Sequence, residues 1–282
     1  KFDDCMKITK DSFFKALISR KKEHEVAISQ INENGNFLKG KTALITGGSG
    51  GIGFAIAEKF LACGCNVIIA GTNESKLANK ALSLGGACKW IALNVSNTDD
   101  FDSKLKNASM FFGPIDILVC SHGIHTKRQG FDFLSTTEDE FDSVMDVNLK
   151  GTYFLCQTMS KQMIDQKVKG HILIISSERA LEPSWSAYRI SKRGLAELTE
   201  GLAQTLSNYG ITVNAIGPGS TATTMVGPLV DGSIFTLDNP MGRYVMPKEI
   251  AEVAKYLVSE YGIALNGKTI YMSGGSGIIT KM

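Results

Sequence analysis

From residue 42 onward, short apolar runs alternate with stretches in which apolar residues recur at helical spacing. The runs lie at 42–46, 66–70, 89–93, 115–120, 171–176, 211–216 and 268–272, and each is the length of a strand. They are rich in Ile, Val and Leu and mostly do not alternate with polar residues, which suits strands buried on both faces of a parallel sheet. The pattern predicts an α/β fold: one doubly wound parallel sheet with helices on both sides, a three-layer α/β/α arrangement of the Rossmann type. Residues 1–39 precede this rhythm. Asp11-Ser12 fits the cap of a helix through Phe13, Phe14, Leu17 and Ile18 toward Ile31, broken at Asn32–Asn36. The expected organisation is therefore an N-terminal helical extension, 1–39, and a dinucleotide-binding and catalytic domain, 40–282.

The pivotal stretch is Lys41–Gly53, KTALITGGSGGIG. An apolar strand runs into a glycine-rich turn and then into a helix beginning near Phe54. Strand, glycine turn, helix opens a dinucleotide-binding unit, because the backbone can approach a pyrophosphate and the helix start offers it unpaired N–H groups. The next run, Asn66-Val-Ile-Ile-Ala-Gly71, follows one helix later, as a βαβ unit requires. After it stand Gly71, Thr72 and Asn73, with the first acid only at Glu74 and Lys76 nearby. An acidic side chain at the end of this strand would bind the ribose hydroxyls of NAD and repel a 2′-phosphate. Its absence, with Thr72 and Asn73 able to donate, favours NADP over NAD. Asn94 and Val95, after the third strand, are placed to reach the adenine.

Composition narrows the class. The 282 residues carry 43% hydrophobic and 21% charged side chains with a formal net charge of +2, the balance of a soluble globular chain with no demand for nucleic acid or an anionic membrane. No apolar run approaches a membrane span, and no secretory leader is visible. Six scattered cysteines lack a second pair at zinc-like spacing, which reads as free thiols in a reducing, cytoplasmic compartment, with no metal site.

Candidate chemistry sits at His171–Lys192, HILIISSERALEPSWSAYRISK. A strand ends in Ser176-Ser177, and a loop with Pro183 leads into a helix bearing Tyr188 and Lys192. Four residues apart, the two share a helix face. A nearby lysine cation is expected to lower the tyrosine pKa from its ordinary value near 10 and make the phenol an acid–base group. Upstream, Thr137 with Glu140 forms a capping box, and the helix it opens carries Asn148 among apolar residues, where it needs partners if buried. His122, after the fourth strand, has no acid beside it to orient its ring, so a packing or backbone-supporting role is favoured over that of a catalytic base. Glu178 and Arg179 either pair with each other or face a polar substrate, the surface pair being favoured.

From about Leu38 onward the chain resembles the short-chain dehydrogenase/reductase family in its ordinary single-domain branch, near the 3-oxoacyl reductase type. The motifs are Thr46–Gly53, Asn148 within Val-Asn-Leu-Lys-Gly151, Ser176-Ser177, Tyr188-Arg-Ile-Ser-Lys192, Asn214–Gly219 and Gly274-Gly275. The resemblance implies Tyr188 as the general acid/base, Ser177 as the substrate-orienting serine, Lys192 as also holding the nicotinamide ribose hydroxyls, and Asn148 as completing a proton relay through water to Lys192. Gly47, Gly51 and Gly53 would line the pyrophosphate. Ser49, Ile52, Ser121 and Gly123 would also touch the cofactor, and Pro218, Gly219 and Thr223 would frame the nicotinamide. The implied activity is reversible hydride transfer between NADP(H) and a ketone or alcohol, in a homodimer or homotetramer. Three departures stand out: Cys120-Ser121-His122-Gly123 replaces the usual Asn-Asn-Ala-Gly, Asn94 replaces an aspartate, and the serine-to-tyrosine interval is shorter than is common. The shortening leaves Ser176 or Ser177 open as the active serine. The alternative function is an NADP(H)-binding redox-sensing or scaffolding protein with little activity. The stripe Leu195, Leu198, Leu202, Leu206 is expected to pack on the sheet, and Val226–Met246 to form a lid whose Leu229, Ile234, Phe235 and Leu237 suggest a partly hydrophobic substrate.

Overall fold

The computed structural model describes residues 37–126, 132–223 and 233–276. The expected helix over 13–31 and the lid segment 224–232, with Leu229, lie outside the described residues.

Seven parallel strands form one sheet in the order β3-β2-β1-β4-β5-β6-β7. They are β1 (Thr42–Thr46), β2 (Asn66–Gly71), β3 (Cys88–Ala92), β4 (Ile117–Cys120), β5 (His171–Ile175), β6 (Thr212–Pro218) and β7 (Thr269–Met272). All seven apolar runs are strands. The helices between them are α1 (Gly51–Ala62), α2 (Glu74–Leu84), α3 (Phe101–Phe112), α4 (Glu138–Met145), α5 (Gly151–Asp165), α6 (Ala187–Leu206) and α7 (Pro247–Leu257).

Alternation along the strands divides the core between the two faces. Ala43, Ile45, Val67, Ile69, Val119 and Ile175 pack against Ile56 and Phe60 of α1, Leu77 of α2 and Ile250 of α7. Leu44, Ile68, Leu118, Ile172 and Ile174 pack against Phe101 and Leu105 of α3, Leu155 and Met159 of α5, and Leu195 and Leu206 of α6. Full burial of each large side chain contributes roughly 1.5–3 kcal/mol. The core begins before β1, since Leu38 is buried in it and its N–H donates to the Cys63 carbonyl.

β4 starts at Ile117, later than the apolar run that begins at Ile115. The Asp116 carboxylate accepts the Thr42 N–H at 2.9 Å and the Lys41 ammonium at 3.0 Å, so a side chain takes the place of a ladder bond there. Strand order reverses between β1 and β4, whose Thr46 and Cys120 are paired. In open parallel sheets a ligand crevice lies outside the carboxyl ends of the strands at such a switch point.

Candidate active site

The turn after β1 is built by exclusion of side chains. Gly47 has φ +64°, and a Cβ there would lie 2.6 Å from the Ser121 carbonyl oxygen. A Cβ on Gly53 would lie 2.5 Å from the Gly47 oxygen. The turn after β1 and the turn after β4 therefore close on each other with room for backbone alone. Ser49 is part of this turn, and α1 starts at Gly51 with no side-chain cap, leaving its first N–H groups for a ligand.

A cavity of about 520 Å³ opens beside this turn at the C-terminal ends of β4, β5 and β6. Of the expected site residues, Ile52, Ser121, Gly123, Ser177, Tyr188, Lys192, Pro218, Gly219 and Thr223 line it. Thr72, Asn73, Asn94 and Val95 lie away from it, at the ends of β2 and β3, on the side where an adenosine would extend. Asn73 caps α2, its Oδ1 accepting from Lys76 N at 2.9 Å and Ser75 Oγ at 3.0 Å. Asn94 Oδ1 is bonded to Ser96.

Strand and helix packing separate the two serines. Ser176 points inward, its Oγ donating to the Lys192 carbonyl at 2.8 Å. Ser177 caps the turn Glu178–Leu181, accepting from Arg179 N at 3.2 Å, and its hydroxyl also bonds the Tyr188 phenol. Ser177 is thus the serine beside the tyrosine. Lys192 is buried; its Nζ donates to the Ile175 carbonyl at 2.9 Å and lies 5.7 Å from the centre of the Tyr188 ring.

The electrostatics depart from the expected lowering of the tyrosine. Burial raises the Tyr188 pKa above its usual value, while the Ser177 bond and Arg179 pull it down to a lesser degree. The same burial brings Lys192 down to about 8, against an opposing pull from Cys120. Desolvation dominates because both groups are largely buried, where the charged form of either is disfavoured.

Asn148 is fully buried in a π-helical turn, Asp146–Lys150, inserted between α4 and α5. π-Turns of this kind recur at functional sites. Its Oδ1 accepts from Ile124 N at 2.8 Å, and its Nδ2 donates to Ile124 O at 2.9 Å and Ser191 Oγ at 3.1 Å. The side chain thus clamps the chain just past Gly123 to α6. His122 shares hydrogen bonds with Thr46 Oγ1 at 2.6 Å and Thr152 Oγ1 at 3.0 Å. Thr152 in turn donates to the Asn148 carbonyl at 2.8 Å. With both ring nitrogens engaged, and burial ahead of Lys192 bringing its pKa to about 3, His122 is a neutral structural link and not a base. Cys120, at the family's asparagine position, is buried with its Sγ 3.9 Å from that of Cys156.

A charged wall flanks the tyrosine. Arg179 pairs with Glu182 at 3.1 Å, as does Arg189 at 2.8 Å, whereas Glu178 stays 4.0 Å from Arg179. The only signal for Glu178 was its place directly after Ser177. The crevice fits a dinucleotide: the glycine turn leaves the space of missing Cβ atoms, and Ser121 Oγ is buried without a hydrogen-bond partner in the cavity wall. Among the described residues no cluster could hold a metal ion, and no helix is long and apolar enough to cross a membrane.

Fold and site together define a nicotinamide-dinucleotide oxidoreductase with a Ser-Tyr-Lys constellation. Comparison with known proteins gives the family. The family model described as Enoyl-(Acyl carrier protein) reductase matches residues 47–277. The 3-oxoacyl-acyl-carrier-protein reductase FabG of Rickettsia bellii is 35% identical over 242 residues, 84% of this chain and 97% of its own length. A short-chain type dehydrogenase/reductase from Mycobacterium marinum superposes with a TM-score of 0.80 at 29% identity, over 87% of this chain and 99% of that one. A tryptophan-for-phenylalanine variant of actinorhodin polyketide ketoreductase, solved with NADPH, gives 0.77 at 25% identity, over 85% and 98% of the two chains. The chain belongs to the short-chain dehydrogenase/reductase family and is an NAD(P)-dependent oxidoreductase acting on C=O and CH–OH groups.

Proposed function

We propose that this protein reduces a ketone, of the carbonyl or 3-oxoacyl type, with NADPH, and runs in reverse as an alcohol dehydrogenase. The observation that carries the reading is the meeting of the Ser177 hydroxyl, the Tyr188 phenol and the Lys192 ammonium on the wall of one cavity beside the glycine turn. The names of the FabG relatives and of the polyketide ketoreductase support it.

Bound NADPH would supply the hydride. Gly47, Gly51 and Gly53, with Ser49 and Ile52, would hold its pyrophosphate side; Ser121, Gly123, Lys192, Pro218, Gly219 and Thr223 its nicotinamide side; Asn94 and Val95 its adenine. Thr72 and the Asn73 amide would donate to a 2′-phosphate. Tyr188 is protonated at neutral pH because burial holds its pKa up, so it enters the reaction as an acid and gives its proton to the substrate oxygen. General acid help of this kind contributes roughly 10²–10⁴-fold. Ser177 donates a hydrogen bond to the same oxygen. Lys192, at about 8, keeps its cation close to the phenolate as it forms. Asn148 positions this set by clamping Ile124 to Ser191 on α6, and Asn148 would terminate the water relay.

Exposed aromatic residues Tyr153 and Phe154 on α5 support assembly into a homodimer or homotetramer. The alternative of a cofactor-binding regulator with little activity finds no support among the relatives. The test is loss of NADPH absorbance against 3-oxoacyl thioesters, cyclic ketones, quinones and keto-sugars, with NADH in parallel. Turnover of one class that disappears in Tyr188→Phe is the expected result; turnover retained in that variant overturns the assignment.

A further inference from the structure

Among the polar groups of the cavity that carbonyl reduction itself does not use, Glu178 stands out. Glu178 follows Ser177 directly and lines the same cavity as Tyr188. It is only 5% exposed. Its Oε2 has no hydrogen-bond partner among the described residues. That oxygen lies against Gly219, where an added Cβ would come within 2.8 Å of it. Arg179, its sequence neighbour, does not satisfy it. The Arg179 guanidinium is spent on Glu182, and its Nε stays 4.0 Å from Glu178 Oε1. Burial pushes the carboxyl up from its ordinary range, with Arg179 and the nearby Ser276 hydroxyl pulling the other way, though neither makes a hydrogen bond to Oε2. Glu178 is also near enough to raise Tyr188, which places the carboxyl within electrostatic reach of the reacting phenol.

A buried acceptor without a donor requires an explanation, since native structures pair nearly all such groups. Glu178 lines the cavity with Ser186, Arg189 and Ser220 as further polar members. We propose that Glu178 is a specificity-determining residue whose incompletely paired carboxyl accepts a hydrogen bond from a substrate hydroxyl close to the reacting carbonyl. The preferred substrates are then small hydroxylated ketones and the matching diols, ahead of plain alkyl ketones of the same shape. A site built to bond a hydroxyl rejects the analogue that lacks it, because its own buried polar group is left unpaired. The inference rests on the reductase reading above and gives that reading a substrate class.

The experiment compares 2-hydroxycyclohexanone with 2-methylcyclohexanone, which exchange a hydroxyl for a methyl. Two readouts are taken: NADPH consumption by the wild type, and affinity of each ketone for the NADPH-loaded Tyr188→Phe variant by quenching of NADPH fluorescence. Each is repeated with Glu178→Met, which keeps side-chain length, and with Glu178→Gln, which keeps an acceptor. Expected is a preference of roughly tenfold or more for the hydroxyketone in both readouts. It should persist in part in Glu178→Gln and vanish in Glu178→Met. Binding of NADPH reports whether each variant is folded, and if Glu178→Met is not, the wild-type preference and Glu178→Gln decide. Equal handling of the two ketones, or a preference that survives Glu178→Met, overturns the inference and leaves the reductase reading standing. Selective binding of the hydroxyketone with reduction of neither ketone upholds Glu178 as its anchor, and the reductase reading is overturned only if no class of the wider carbonyl panel is reduced either.

Discussion

Two turns meet at the crevice and are built on opposite plans. The turn after β1 is made of absent side chains. Gly47 and Gly53 leave the space in which backbone approaches backbone, and the ligand contacts it offers are main-chain N–H groups. The turn after β5 is made of side chains that bury polar atoms: Ser176 on the Lys192 carbonyl, Ser177 on Tyr188, and Glu178 with an oxygen unpaired. On the proposed function the first plan serves a constant ligand, the pyrophosphate of the cofactor. The second serves a variable one, since the substrate is read by the side chains that surround its carbonyl.

The largest effects should separate the plans cleanly. Tyr188→Phe should lower kcat by roughly 10²–10⁴-fold with the NADPH dissociation constant held within about twofold, as uniform loss of transition-state stabilisation requires. Stopped-flow turnover and fluorescence titration together check this. Gly53→Ala should do the reverse. Its Cβ would meet the Gly47 backbone oxygen at 2.5 Å, an atom that cannot swing aside. Loss of about 1–3 kcal/mol of stability and of NADPH affinity is expected, while Tyr188 keeps its surroundings. A denaturant midpoint equal to that of the wild type would show that the turn after β1 is not closed on the start of α1 as described.

The same contrast explains what was legible. The glycine turn, the seven strands and the Tyr188–Lys192 spacing are local patterns whose meaning does not depend on distant residues. The misfit of Asn148 was visible too, but the π-turn that accommodates it was not, because its partners Ile124 and Ser191 come from other elements. Which serine is active was undecidable from order alone; it depends on which one α6 draws inward. The sign of the Tyr188 shift went against expectation because the degree of burial, unlike the i, i+4 neighbour, is a property of the packed crevice. Arg179 found Glu182, three residues on, in preference to adjacent Glu178 because the turn Glu178–Leu181 sets the i, i+3 pair together.

His122 joins the turns after β1 and β4 to the Asn148 segment, and pH tests that joint at intermediate magnitude. Burial holds His122 at about 3 and His171 at about 4. The unfolded chain takes up these protons near pH 6.5. Both groups therefore contribute stability that is fully present above pH 6.5 and is lost as pH falls toward their folded values. Between pH 6.5 and 5 the loss is about 2 kcal/mol for each. Glu249 is held at about 2 by Arg243, so the stability it contributes is lost only below pH 4.5. The raised Glu178 acts in the opposite sense but equally in the wild type and a His122 variant, so the difference between them reports His122. The urea midpoint should fall on going from pH 7.5 to 5, and His122→Ala should lose about half of that slope. A slope unchanged in His122→Ala would mean that the imidazole is hydrated and not locked between Thr46 and Thr152.

The smallest expected effect concerns the outer end of the cofactor crevice, where side chains re-enter the first plan. On the proposed function Asn73 has two jobs to divide between two atoms. Its Oδ1 is committed to capping α2 through Lys76 N and Ser75 Oγ, so only Nδ2 is left to meet a ligand. Asn73→Asp keeps an oxygen for the cap and places a negative charge at a helix start, where the dipole favours it. It removes the N–H donors and sets that charge against a 2′-phosphate. The helix should therefore hold or gain stability while NADPH affinity falls roughly three- to tenfold and NADH affinity stays level. Asn73→Ala should show the converse, a weaker helix with a smaller change in the NADPH to NADH ratio, since it loses the cap as well as the donor but adds no charge. Titration of both cofactors against both variants distinguishes the cap from the ligand contact. Equal losses for NADPH and NADH in Asn73→Asp would mean that the position acts through the helix alone, and that NADPH selection at this end rests with Thr72.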